Sequence, residues 1–248
     1  QEALKIFGQA FGENSVHCGR GWQAMGEGFQ NRLMFGDQLD YSLKAIAVFE
    51  QHQGGEFPWA ALAWRYAGIG YEELLRYKEV QPCYDKAVPL MKRFWGDDSR
   101  YLADCMARWG RSFDKIGDPA TALKKGKGAL DIYARLGEPA GVGAGVARWT
   151  VGMMNWENSQ WDSAAYWIQQ GLETIVAADA VENPRVPWFC QMLSDSYYNL
   201  KRLDKMRETL AMGVKSLGLD KNPGLLETAR FSSEVKRATM AFVEANKK

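Results

Sequence analysis

Trp64-Arg65-Tyr66-Ala67-Gly68-Ile69-Gly70-Tyr71 is the stretch on which the fold turns, because its small residue Gly68 is one of a series. Gly26, Gly68, Gly110, Gly152 and Ser194 follow one another at intervals of 42 residues. Three residues past each stand Phe29, Tyr71, Phe113, Asn155 and Tyr197, and one residue before each stands an apolar side chain, Met25, Ala67, Trp109, Val151 or Leu193. A second series keeps the same register: Ala3-Leu4, Ala45-Ile46, Ala87-Val88, Ala129-Leu130, Gly171-Leu172 and Gly213-Val214. Self-similarity at a fixed period signifies stacked supersecondary units. Glycine inside a helix costs about 1 kcal/mol against alanine, so four glycines in one column mark a contact where a neighbouring helix comes close and large side chains fill the flanks.

Turn chemistry falls where this period requires it. Gly54-Gly55 with Pro58, Gly96-Asp97-Asp98-Ser99, Gly137-Glu138-Pro139, Asn183-Pro184 and Asn222-Pro223-Gly224 separate consecutive copies. Inside a copy, Gly117-Asp118-Pro119 ends one helix, caps the next with Asp and opens it with Pro; Asn158-Ser159-Gln160 plays a similar part.

Trp64, Ala67, Gly68 and Tyr71, followed by Tyr77, Tyr84 and Ala87, resemble the tetratricopeptide signature of Trp, Leu, Gly, Tyr and then Tyr and Ala. Gly110, Phe113, Gly117, Ala122, Gly126, Ala129 and Leu130 are similar to its second half, and Trp22, Met25, Gly26, Phe29, Phe35 and Ala45 to its first copy here. The family's usual repeat is shorter, so the period resembles the longer-helix variety of kinesin light chains. The resemblance covers nearly the whole chain and implies an all-α fold, a right-handed superhelical solenoid of antiparallel helix pairs. Residues 1–18 are then the end of a preceding repeat, 19–60, 61–102, 103–144, 145–186 and 187–228 five hairpins, and 229–248 a closing amphipathic helix, all in one repeat domain.

Two places depart from the signature. The fourth copy has Arg148 and Asn155 where aromatics belong and carries Trp149 and Trp156 one residue later, which predicts a local rotation or shift of that helix. Pro82 and Pro89 fall in the second helix of the second copy, which predicts a late start or a kink.

Composition narrows the function classes. Thirty-one Lys and Arg against thirty Asp and Glu leave a formal net charge of +1, without the positive field of a dedicated nucleic-acid binder. No apolar run approaches a membrane span and no leader is visible at Gln1. Cys18, Cys83, Cys105 and Cys190 form no CxxC pair, so they read as buried free thiols in the cytoplasm, with no metal. His17 and His52 have no catalytic motif around them, and Lys124-Lys125-Gly126-Lys127-Gly128 lacks the Ser or Thr of a phosphate loop. No catalytic residue and no cofactor is assigned.

The resemblance implies that the first helix of each pair lines a concave groove. Carried onto this sequence, the positions of interest are Arg65, Glu72, Arg111 and Asp114 in a charged middle zone, and Trp149, Met153, Trp156, Trp188, Gln191, Asp195 and Tyr198 in an aromatic zone. The same spacing fits a bland alternative, with the tryptophans filling the core between hairpins and the charges closing ion pairs across it. The expectation is a protein- or peptide-binding scaffold, without nucleic-acid or membrane partners, and with self-association through the uncapped amino end as a further possibility. The alternatives are a sensor holding a small molecule or signalling peptide in an aromatic-lined pocket, and a histidine-independent enzyme built on carboxylates.

Overall fold

The computed structural model describes residues 2–30, 32, 34–138, 141–178 and 186–216. Among these every regular element is helical. A short α1 (Glu2–Phe11) precedes five pairs: α2 (Val16–Gln30) with α3 (Phe35–Glu50), α4 (Pro58–Glu73) with α5 (Tyr77–Trp95), α6 (Arg100–Lys115) with α7 (Pro119–Arg135), α8 (Val142–Glu157) with α9 (Trp161–Ala177), and α10 (Val186–Asn199) with α11 (Leu203–Ser216). The second helices begin at Phe35, Tyr77, Pro119, Trp161 and Leu203, each 42 residues after the last. The period read from side chains is therefore the period of the backbone. The closing helix expected over 229–248 lies outside the described residues.

Contacts gather into two compact units, Gln1–Ile132 and Tyr133–Lys248, divided near the end of α7. In the first unit α3 packs between α2 and α4, and the first helices α2, α4 and α6 touch in succession. In the second, α9 packs between α8 and α10, and α8 touches α10. Phe49, Ile69, Tyr84, Met91 and Leu102 are fully buried in the first unit, and Met154, Ile168, Ile175, Phe189 and Leu210 in the second. Each such side chain contributes about 1.5–3 kcal/mol over its exposed state.

The small-residue column is where a first helix meets its own partner. A Cβ on Gly68 would lie 3.2 Å from the Tyr84 ring of α5, one on Gly26 2.9 Å from Ser42 Oγ of α3, and one on Gly152 2.8 Å from the backbone nitrogen of Ile168 in α9. Ala45, Ala87 and Ala129 of the second column are fully buried.

One turn joins the helices of each pair from α4–α5 to α10–α11. Leu75, Gly117, Ser159 and Lys201, again 42 residues apart, are left-handed with φ of 61°, 84°, 57° and 57°. The following amide donates five residues back, from Arg76 to Tyr71 O, Asp118 to Phe113 O, Gln160 to Asn155 O and Arg202 to Tyr197 O, at 2.8–2.9 Å. This is the Schellman arrangement, which satisfies carbonyls the helix end leaves open. Only Gly117 is the residue the geometry favours; the other three hold a conformation costing about 1 kcal/mol or more. The next helix is capped where the sequence indicated, Thr121 N donating to Asp118 Oδ1 at 3.1 Å, and Ser99 Oγ receives Leu102 N at 3.3 Å at the start of α6.

At the two irregular places the helix bounds hold register. α5 runs unbroken from Tyr77 with Pro82 and Pro89 inside it; the prolines are seven residues apart on the exposed side, where water can serve the carbonyls they leave open. α8 keeps the bounds of its counterparts α4 and α6. Asn155 turns its amide back to Val151 O at 2.7 Å and Arg148 reaches Thr174 Oγ1 of α9 at 2.7 Å, so neither needs the helix to move.

Candidate functional site

The charged zone is a seam between α4 and α6 in the first unit. Glu72, at 2% exposure, ends α4 beside Glu73. From α6, Arg111 brings Nε to 3.1 Å from Glu72 Oε1 and donates Nη1 to Glu73 Oε1 at 3.1 Å, while Arg108 donates Nη1 to the same oxygen at 3.2 Å. The Glu72–Arg111 contact is an ion pair without an aligned hydrogen bond, since neither Glu72 oxygen has a hydrogen-bond partner among the described atoms. Burial pushes the Glu72 carboxyl above its ordinary value, and Arg111 and Arg108 pull it back only in part. Arg65, two turns earlier on α4, lies over the Tyr66 ring at 5.3 Å. Burial lowers its pKa, but the charge of Asp104 and neighbouring groups outweighs that, and the net direction is up. Desolvation pushes the Tyr66 hydroxyl up to about 12, with Glu27 of α2 adding to the shift. Asp114 is partly buried on the last turn of α6.

The aromatic zone divides by burial. Trp149, at 9% exposure, and Met153 belong to the core cluster of the second unit, with Trp149 stacked on Phe189 at 5.4 Å. Trp156 is partly buried against that cluster and meets Trp161 edge-on at 6.4 Å. On α10, Trp188 is 43% and Tyr198 49% exposed, while Asp195 is 7% exposed and Gln191 partly buried between them. Spacings of three, seven and ten residues put these four on one helical stripe. Of the tryptophans named from the sequence, Trp188 is thus the one presented to solvent.

Sequence reasoning missed Arg108 and the glutamine bridges. Gln81 of α5 accepts from Trp109 Nε1 at 2.7 Å and donates to Ser112 Oγ at 3.1 Å, and Gln38 of α3 donates to Tyr66 O at 2.7 Å. Asp104, Arg108 and Arg111, spaced four and three on α6, were the available signal for the seam.

Two clefts lie away from Trp149, Met153 and Trp156. One of about 530 Å³ runs between α1 and α2, lined by Leu4, Lys5, Gly8, Gln9, Glu13, Cys18 and Trp22. Another of about 240 Å³ lies among α9, α10 and α11, with Leu172, Val176, Leu193, Tyr197 and Met212 on its walls. Neither is lined by Trp149, Met153 or Trp156. Among the described residues no group of three His, Cys, Asp or Glu side chains could hold a metal ion, and no helix is long and apolar enough to cross a membrane.

Repeated antiparallel helix pairs in a constant register, joined by one turn type and packed through a glycine column, define a tetratricopeptide-type fold. Solved structures share it: BtubC (BKLC) from P. vanneervenii, with a TM-score of 0.67 at 12% identity over 89% of this chain and 87% of that one; the type IV pilus biogenesis factor PilW, 0.61 at 14% over 92% and 93%; and a putative kinesin light chain with nearly identical TPR-like repeats from Podosopora anserina, 0.59 at 11% over 82% and 96%. No protein-family profile and no curated protein matches the chain.

Proposed function

We propose that this chain is a protein-interaction scaffold that holds a segment of another protein against its first helices. The observation that carries this is the α10 stripe, where Trp188 and Tyr198, side chains of the size folding usually buries, stay nearly half in solvent on either side of Asp195. The backing of that stripe is rigid: Trp149, Met153 and Phe189 fill the core behind it, so little ordering is required when a partner arrives. In the first unit the Glu73–Arg108–Arg111 seam likewise fixes polar groups before any ligand is bound. On this reading Arg65, Glu72, Arg111 and Asp114 are the polar positions of the first unit's own first helices, and Trp156, Trp188, Gln191, Asp195 and Tyr198 are the contact surface of the second unit, with Trp149 and Met153 as its support.

The test uses a displayed library of random twelve-residue peptides selected on the full chain. Recovered peptides should lose tenfold or more in affinity on Trp188→Ala and keep it on Tyr166→Ala, which alters an exposed ring of the second helix α9. Equal binding by both variants, or loss on Tyr166→Ala alone, would overturn the assignment to the first helices.

A further inference from the structure

The cleft of about 240 Å³ among α9, α10 and α11 has a counterpart in the first unit that the chain fills by itself. Two repeats earlier the same three places are held by α5, α6 and α7. There Lys125 of α7 lays its ammonium group 3.3 Å from the centre of the Trp109 ring and 5.9 Å from that of Phe113, both of α6. Burial lowers the pKa of that ammonium, and the carboxylate of Asp85 on α5 opposes the shift. An alkylammonium on an aromatic wall, answered by an acid of the preceding second helix, thus occupies the groove.

In the second unit the same register removes what fills it. Lys125 becomes Thr209, whose hydroxyl turns back to Lys205 O at 2.8 Å, and Trp109 becomes Leu193. A lysine stem and an indole are replaced by two shorter side chains, which leaves the cleft open. Charge changes with volume: Lys92 and Lys124 become Val176 and Glu208. The lining carries Glu173 and Glu208 against one cation, Lys205, which lies 5.6 Å from the centre of the Tyr197 ring.

Glu173 is held in place from its own helix. Gln169 donates to its Oε1 at 2.7 Å and Gln170 to its Oε2 at 3.0 Å, and Tyr197 of α10 donates its hydroxyl to Gln169 Oε1 at 2.5 Å. One chain of hydrogen bonds therefore runs from this carboxylate to the floor of the cleft, where Leu193 and Tyr197 are both buried. Burial raises the pKa of the Tyr197 hydroxyl, Arg202 lowers it, and the charges of Glu173 and Glu208 both add to the rise, so the two acids stand around one phenol. Each Glu173 oxygen keeps an acceptor position beyond its glutamine bond.

We propose that this cleft binds a free aliphatic amine, with its alkyl stem on Leu172, Val176, Leu193 and Met212 and its ammonium group at Glu173 and Glu208. The ammonium donates charge-assisted hydrogen bonds to the carboxylates, and the stem packs as lysine stems do along apolar surface. The cleft is smaller than the roughly 300–1,000 Å³ of pockets for drug-sized ligands, so the occupant is short. An acid of the same length would set a third carboxylate beside two. The site lies between the second helices α9 and α11 and is a different place from the first-helix surface proposed above.

Isothermal titration of the full chain with pentylamine, pentanol and pentanoate tests this. The amine should bind saturably, the alcohol at least tenfold more weakly, and pentanoate more weakly still. Thr209→Lys, which supplies from the chain the side chain that Lys125 supplies in the first unit, should abolish amine binding. Glu173→Gln and Glu208→Gln, at exposed positions, should each weaken it about fivefold or more, and they keep the test valid should the Thr209→Lys chain fold poorly. Absence of saturable amine binding, equal binding of amine and alcohol, or indifference to all three variants would overturn the proposal. Peptides selected on the full chain should bind undiminished in saturating pentylamine; their displacement would put a partner's lysine in the cleft and overturn the assignment to a free amine.

Discussion

Gly152→Ala sets two opposed effects against each other. Alanine is the better helix former by about 1 kcal/mol, so on local grounds the substitution stabilises α8. The added methyl carbon would lie 2.8 Å from the backbone nitrogen of Ile168 and 3.2 Å from Trp167 Cβ, inside van der Waals contact with parts of α9 that are not free to swing away. Forcing an extra carbon into a filled contact costs about 1–3 kcal/mol, and more where backbone must shift. The net expectation is a loss of about 2 kcal/mol, or about 4–8 °C in Tm for a chain of this length. Gly28→Ala in α2 is the matched control, since a Cβ there meets nothing within 4 Å; it should stabilise by about 0.5–1 kcal/mol. Urea unfolding followed by tryptophan emission, with circular dichroism in parallel, reads both. A Gly152→Ala chain as stable as the parent, or a Gly28→Ala chain destabilised as much, would refute the packing account of the glycine column.

Burial raises the Glu72 carboxyl above its ordinary value, so the folded state holds that proton more tightly than the unfolded chain does and this group favours folding less as pH rises through its folded pKa. Glu72→Gln should therefore match or exceed the parent in stability at pH 8, with the advantage shrinking as pH falls towards 4; Glu73→Gln, which removes the negative charge that Arg108 and Arg111 share, should be destabilising at pH 8. Leu75→Gly and Lys201→Gly relieve a left-handed side chain and should each stabilise by about 1 kcal/mol in the same unfolding assay. The Cys83, Cys105 and Cys190 thiols are pushed up to about 12 by burial, so iodoacetamide at pH 8 should label them only after unfolding; labelling of the native chain at any of the three, mapped by mass spectrometry, would contradict this.

The fold was legible because glycine has so few reasons to sit inside a helix. Gly26, Gly68 and Gly152 each mark a place where a Cβ would crowd the partner helix, and the same physics repeats at one interval. The pair turn was half legible: Gly117-Asp118-Pro119 announces itself, whereas Leu75 and Lys201 give no composition signal, because the turn is imposed by packing of the helices on either side. The candidate surface was harder to read. One position along a helix is about 100° of rotation, so the one-residue offset of Trp149 and Trp156 left core and groove equally open, and only the packing on Phe189 and the core places Trp149 inside. Arg108 was missed because its column, Tyr66, Arg108, Thr150 and Met192, shares no chemistry from copy to copy. A seam is written between helices, in pairs that a period along one chain does not display.

The central claim is that the first helices, and not the second, receive the partner. A selected peptide carrying a benzophenone side chain, irradiated with the full chain and mapped by mass spectrometry, tests it directly. The account predicts crosslinks within 142–157 and 186–199; crosslinks confined to 161–177 and 203–216 would contradict it.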